Sequence, residues 1–235
     1  MKIKALIFDV DGTLADTEEA HRRAFNLAFE QQGLDWHWGK AEYSRLLRTT
    51  GGKERIGAYI ESLALESGEH RAALGLIPAI HRCKTENYIR LIENGDVPLR
   101  EGVARLLSEA EDAGLRLAIA STTTRRNIDA LLDAKLGMRA GERFAVIAAG
   151  DQVPRKKPAP DIYHLVIREL AMAADDCVAI EDSAHGLAAA KGAGLFTVVT
   201  PSQWTEGEDF SAADLVLPSL ENWGWRNGSP AVGEA

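Results

Sequence analysis

Residues 4 to 21 read Lys4-Ala-Leu-Ile-Phe-Asp-Val-Asp-Gly-Thr-Leu-Ala-Asp-Thr-Glu-Glu-Ala-His21. The run from Ala5 to Val10 is apolar apart from Asp9, is too short for a helix, and breaks on Asp11-Gly12, a pair that favours a turn. A short strand without polar alternation is buried on both faces, which is the mark of a parallel sheet. Working outward, similar runs recur at 115–120, 144–148, 177–180 and 196–199, with a shorter one at 215–217. Helical periodicity falls between them, over 102–113, 126–136, 159–170 and 184–193. Strands alternating with helices predict a doubly wound, Rossmann-like α/β core with a parallel sheet.

Between about Asp16 and Asn94 the alternation stops. Helical patterns cover 18–32, 40–47, 55–65 and 71–92, and no strand pattern intervenes. The reading is therefore a core formed by 1–15 and 95–235, interrupted by a helical cap domain at 16–94. The expected hinges are Leu14-Ala-Asp16 and Asn94-Gly-Asp-Val-Pro98, where glycine and proline punctuate the chain. The stretch 227–235, rich in glycine and proline, reads as a loose tail.

Composition narrows the class. With 235 residues, 46% hydrophobic and 26% charged, the chain can bury a core of ordinary globular kind. A net charge of -8 argues against nucleic acid or an anionic membrane as partner, so an anionic substrate needs a local basic site. No run approaches the roughly 18 apolar residues of a membrane span. The basic start followed by an apolar run stops at Asp9 without a small-residue cleavage site. Cys83 and Cys177 have no metal or redox spacing, so a cytoplasmic protein with two free thiols is expected. His37, His70, His81, His164 and His185 lack metal spacing, and the five tryptophans form no recognisable stacking platform for bases.

In an open parallel sheet, ligands bind beyond the carboxyl ends of the strands. The first strand runs into Asp9-Val-Asp11-Gly-Thr13, and the second into Ser121-Thr122-Thr123. Past the third lie Asp151 and Arg155-Lys156-Lys157, and past the fourth Glu181-Asp182-Ser183. Carboxylates are hard oxygen ligands, so Asp9, Glu181 and Asp182, with the backbone carbonyl of Asp11, suit Mg²⁺. Asp9 at the strand tip can attack phosphorus, splitting hydrolysis into two easier steps. Asp11 can act as general acid for the leaving alcohol and then as base for water. Ser121, with Thr122, Thr123 and their N–H groups, can hold phosphate oxygens, and Lys157 can neutralise the transferring group. Each residue alone has a plainer explanation: a capped turn, a helix N-cap at Ser121, a solvated lysine, acids at a helix start. Those explanations do not account for the joint occurrence, in order, at four strand ends.

With these motifs the sequence resembles the haloacid dehalogenase superfamily of phosphotransferases. Asp9-Val-Asp-Gly-Thr13 matches its first motif, Ser121 its second, Lys157 of Lys157-Pro-Ala-Pro-Asp161 its third, and Glu181-Asp-Ser183 its fourth. The resemblance implies an α/β core with a cap, and Asp11 places the chain with phosphatases and mutases rather than dehalogenases. The longer string through Asp16-Thr17 to His21, and Lys157-Pro-Ala-Pro-Asp-Ile-Tyr163, is similar to the branch of β-phosphoglucomutase and the CbbY-type phosphatases. The stretch from Gly192 to Thr205, with Asp209-Phe210 and Ala213-Asp-Leu215, resembles the CbbY-type group most. That group implies xylulose 1,5-bisphosphate as substrate and a link to carbon fixation in the Calvin cycle.

The cap carries a second candidate site. Arg48-Thr-Thr50-Gly51-Gly52-Lys53-Glu-Arg55 places cations around a glycine pair at a helix start, able to cradle a phosphate. The resemblance implies that this loop holds the phosphate that is not transferred, and that His21 and Lys84 face the substrate. Two phosphate sites imply a sugar phosphorylated at both ends, whose distal phosphate drives cap closure. Three functions stay open on the residues: a sugar-bisphosphate phosphatase, a phosphosugar mutase that returns the phosphate to another hydroxyl, and a non-catalytic binding protein. A cap of this kind completes a site within one subunit, so a monomer is expected.

Overall fold

The structure, a computed structural model, describes residues 3–95, 97–226 and 229–232. In chain order, β1 (Ala5–Phe8) leads into four helices, α1 (Glu18–Gln31), α2 (Lys40–Leu46), α3 (Gly52–Ser62) and α4 (Ser67–Glu93). Then follow α5 (Val103–Asp112), β2 (Arg116–Ala120), α6 (Arg125–Leu136), β3 (Phe144–Ala148), α7 (Asp161–Leu170) and β4 (Cys177–Glu181). The chain continues through α8 (Ala184–Gly192), β5 (Phe196–Val199), β6 (Leu215–Val216), β7 (Trp223–Arg226) and β8 (Ser229–Val232). Contacts divide it into two compact units, Met1–Thr17 with Pro98–Ala235, and Glu18–Val97.

The first unit is the doubly wound α/β core. Its six-stranded sheet has the order β3-β2-β1-β4-β5-β6, with every pair parallel. All residues of β1 and β4 are buried, as strands covered on both faces must be. On one face Ala5 and Ile7 of β1 pack with Ala118, Ala120 and Ala179 against Tyr163, Val166 and Leu170 of α7. The alanines leave room for the phenol ring, and the alternation of β1 sends Leu6 and Phe8 to the other face. The chain leaves β1 towards β2 on one side and reaches β4 on the other, so the order reverses between β1 and β4. The crevice at such a switch point is where this sheet class binds ligands.

The second unit is all helical. The buried stripe of α1, Ala20, His21, Ala24, Phe25, Ala28 and Phe29, follows helical periodicity and packs on α4. Trp38, fully buried, lies 4.6 Å from the Phe25 ring and 4.9 Å from the Phe29 ring, centring an aromatic core.

Three sequence expectations need correction. The third helix of the second unit starts at Gly52 and ends at Ser62 rather than spanning 55–65. Gly51, at φ 98°, precedes its first residue, and Ala64, at φ 50°, follows its end. The last helix of this unit is longer than the expected 71–92, running unbroken through Pro78 from Ser67 to Glu93. The tail is not wholly loose: Ser229–Val232 pairs antiparallel with Trp223–Arg226. The two residues between these strands are Asn-Gly, a hairpin signal in the sequence. Asp96 of the second hinge, and 227, 228 and 233–235 of the tail, lie outside the described residues.

Candidate active site

Four strand ends of the α/β unit build the site. Asp9 still pairs with the sheet, its N–H donating to the Ile180 carbonyl at 3.0 Å, so its side chain leaves β1 beside the end of β4. The chain then turns on Gly12, at φ +82°. A Cβ there would stand 2.1 Å from Asp182 Oδ2, so only glycine satisfies both the turn and the approach of that carboxylate. The Asp11 carboxylate accepts a 2.6 Å hydrogen bond from the Thr17 hydroxyl.

Lys157 joins the strand ends. Its ammonium donates to Asp9 Oδ1 at 2.6 Å and Glu181 Oε1 at 2.5 Å, and lies 5.2 Å from the centre of the Tyr163 ring. Tyr163 donates its hydroxyl to the same Glu181 oxygen. Burial pushes the Asp9 carboxyl up to about 8; Lys157 opposes this while Glu181 and Asp11 add to it. Burial acts to lower the Lys157 ammonium, but Asp9 and Glu181 outweigh it and hold it above its ordinary value. The Tyr163 phenol is pushed well up by burial and by the neighbouring carboxylates, and so stays a donor.

Asp9, Glu181 and Asp182 each offer an oxygen within 4.8 Å of the others. All three are buried, and Glu181 Oε2 has no hydrogen-bond partner among the described atoms. An all-oxygen donor set with a buried, unsatisfied carboxylate oxygen fits a hard divalent cation. The Asp11 side chain is not in this group.

Three of the plainer explanations fail. Helix α6 is capped by Thr124, which accepts from the Asn127 N–H at 3.3 Å, so Ser121 is not its N-cap. It lies buried in the loop before α6, accepting from the Thr123 N–H, while Thr122 and Thr123 are half-buried. Lys157 is 5% exposed and is no surface lysine. Helix α8 is capped by Ser183 and receives Glu208 at the Ala184 N–H, so Glu181 and Asp182 are not its capping acids.

In the helical unit, Lys84 donates to His21 Nδ1 at 2.7 Å and lies over the Phe25 and Tyr88 rings, each 5.1 Å away. His21 stacks on Tyr88 at 4.1 Å. Of the glycine-loop residues, Arg55 is buried and donates to the Tyr43 hydroxyl, which in turn donates to Glu18. Thr50 and Gly52 are half-buried, Gly51 is buried and Lys53 is exposed at the start of α3. The structure thus brings His21 and Lys84 together at one point of this unit.

Two participants were missed in the sequence. Arg100 donates to the Gly12, Thr200 and Pro201 carbonyls, tying the turn after β1 to the loop after β5. Tyr163 was read only as part of a motif string. Nothing local flags either residue, because their partners are far away in the chain.

Comparison with known proteins is consistent across sequence and fold. A haloacid dehalogenase-like hydrolase family model matches residues 3–194. Protein CbbY of Rhodobacter capsulatus is 54% identical over 220 residues, covering 94% of this chain and 95% of that one. The crystal structure of CbbY from Rhodobacter sphaeroides in complex with phosphate aligns with a TM-score of 0.86 at 48% identity, covering 93% of this chain and 95% of that one. An Asp-to-Asn variant of that protein, in complex with xylulose 1,5-bisphosphate, aligns with a TM-score of 0.88 at 48% identity, covering 96% and 98%.

Proposed function

We propose that this chain, which belongs to the haloacid dehalogenase-like hydrolase family and is a phosphatase, removes one phosphate from a sugar bisphosphate through a phosphorylated Asp9. The observation that carries this reading is the buried Asp9 carboxylate, held by Lys157 beside Glu181 and Asp182 at the switch point of the sheet. The substrate class is supported by the xylulose 1,5-bisphosphate bound to a variant of a relative at 48% identity.

In the first step an Asp9 oxygen forms a bond to phosphorus as the bond from phosphorus to the sugar oxygen breaks. Asp11 gives its proton to that departing oxygen. In the second step Asp11 takes a proton from water, whose oxygen attacks the phosphorus, releasing phosphate and restoring Asp9. Lys157 carries positive charge against the transferring group, and Ser121 with the following N–H groups holds its oxygens. Asp9, Glu181, Asp182 and the Asp11 carbonyl would hold Mg²⁺, which would neutralise charge on the buried carboxylates and the phosphate. We assign the second phosphate to Thr50, Gly51, Gly52, Lys53 and Arg55, with His21 and Lys84 as sugar-facing groups. The helical unit acts as a cap in this reading.

The test is to incubate the purified protein and Mg²⁺ with xylulose 1,5-bisphosphate, ribulose 1,5-bisphosphate and β-glucose 1-phosphate, following products by phosphorus NMR. Phosphate release from the first, with the second spared, is the expected result. Conversion of glucose 1-phosphate to glucose 6-phosphate without net release would make the protein a mutase. Asp9→Asn should cost at least about 10³-fold in kcat while the circular dichroism spectrum is retained. Turnover that survives this change would overturn the assigned nucleophile.

A further inference from the structure

Helix α7 begins two residues before Tyr163, and its inward face carries Tyr163, Val166 and Leu170 at helical spacing. The Tyr163 ring is fully buried in the alanine-rich cluster beneath the sheet. Phenylalanine would fill that volume equally well. A buried hydroxyl is costly unless paired, so the reason for tyrosine lies in what its oxygen touches. It touches Glu181.

Glu181 is a fully buried carboxylate with an asymmetric environment. Oε1 accepts from both Lys157 and Tyr163, whereas Oε2 has no hydrogen-bond partner among the described atoms. Oε2 instead lies against the backbone of Gly186, where an added Cβ would stand 1.9 Å away. The terminal torsion of a glutamate has a broad energy profile, so the carboxylate plane is set by its contacts rather than by its rotamer. Lys157 is an unreliable anchor, because it also serves Asp9 and meets the charge of the transferring phosphate. Tyr163 is a dedicated one, since its hydroxyl proton goes to Glu181.

We propose that Tyr163 is a positioning residue that acts through Glu181, fixing its carboxylate beside Asp9 and Asp182 for a divalent cation. The inference rests on reading Asp9, Glu181 and Asp182 as the cation site. Residues that orient a metal ligand typically set affinity by 10–100-fold, which roughly bounds the expected effect.

The experiment is a Mn²⁺ titration of metal-stripped protein followed by electron paramagnetic resonance, on the wild type, Tyr163→Phe and Asp182→Asn. Thermal midpoints are measured in chelator alongside. Mn²⁺ binding by Tyr163→Phe that is about 10-fold weaker or more, with an unchanged midpoint in chelator, supports the role. An affinity within about twofold of the wild type overturns it, as does a weakening matched by an equal fall of the midpoint in chelator, which marks mere structural damage. Asp182→Asn separates the two levels of the argument. If it also binds Mn²⁺ as the wild type does, the cation site itself is misassigned; if it alone loses affinity, only the part given to Tyr163 fails.

Discussion

Lys157 in the α/β unit and Lys84 in the helical unit are equally buried, each 5% exposed, but they are accommodated by opposite means. Lys157 is clamped by two carboxylates within 2.6 Å. Lys84 is held by a histidine nitrogen and lies over two aromatic faces. A buried ammonium must recover its lost hydration, and ion pairs and π faces do so at different strengths. In the first unit the lysine is one member of a set of mutually dependent charges. In the second it meets an imidazole nitrogen and the faces of two aromatic rings. In the proposed reading, the first lysine belongs to the site of phosphoryl transfer and the second to the groups that face the sugar.

The sharpest way to break this comparison is to remove each lysine in turn. Lys157→Ala should lower kcat by roughly 10²–10³-fold, the cost of losing one preorganised charge partner. It should also destabilise the protein by about 3–5 kcal/mol, because Asp9 and Glu181 are left buried without their ammonium. Lys84→Ala should cost only about 1–2 kcal/mol and act mainly on KM. Equal effects in denaturant melts and initial rates would erase the distinction.

Glycines extend the contrast to backbone. Gly186→Ala places a Cβ 1.9 Å from Glu181 Oε2 and should destabilise by about 1–3 kcal/mol despite the better helix propensity of alanine. A melt no lower than that of the wild type would mean that Glu181 can move freely.

A smaller effect concerns pH. Asp9 has a folded pKa of about 8, above the ordinary 3.8, so its bound proton stabilises the fold. That contribution is complete below about 4 and is lost as pH rises through about 8. In chelator, the wild-type midpoint should therefore fall more steeply between about pH 5 and about pH 8 than that of Asp9→Asn, which cannot titrate. Parallel profiles would contradict a raised Asp9.

The smallest expected change lies in the helical unit and has the opposite sign to that of Gly186→Ala. Gly57, inside α3, has its nearest neighbour for a new Cβ at 3.8 Å, an ordinary contact. Gly57→Ala should stabilise by about 0.5–1 kcal/mol, read as a raised midpoint with unchanged kinetics.

The sequence alone discloses the doubly wound fold and the order of the motifs. Strand runs and the residues at their ends are local patterns, and parallel-sheet topology carries all strand ends to one edge. Asp9, Lys157, Glu181 and Asp182 were legible for that reason, although the Asp9–Lys157 contact spans 148 residues. Element ends were less legible where glycine conformation overrode apolar spacing, as at Gly51. Only the tertiary structure decided that Thr124 and not Ser121 caps α6, that Tyr163 donates to Glu181 while Gly186 leaves it room, and that Arg100 ties the turn after β1 to the loop after β5. Those roles depend on which atom meets which across elements remote in sequence. A residue's type and local pattern specify what it can bond to, but packing alone specifies what lies within reach.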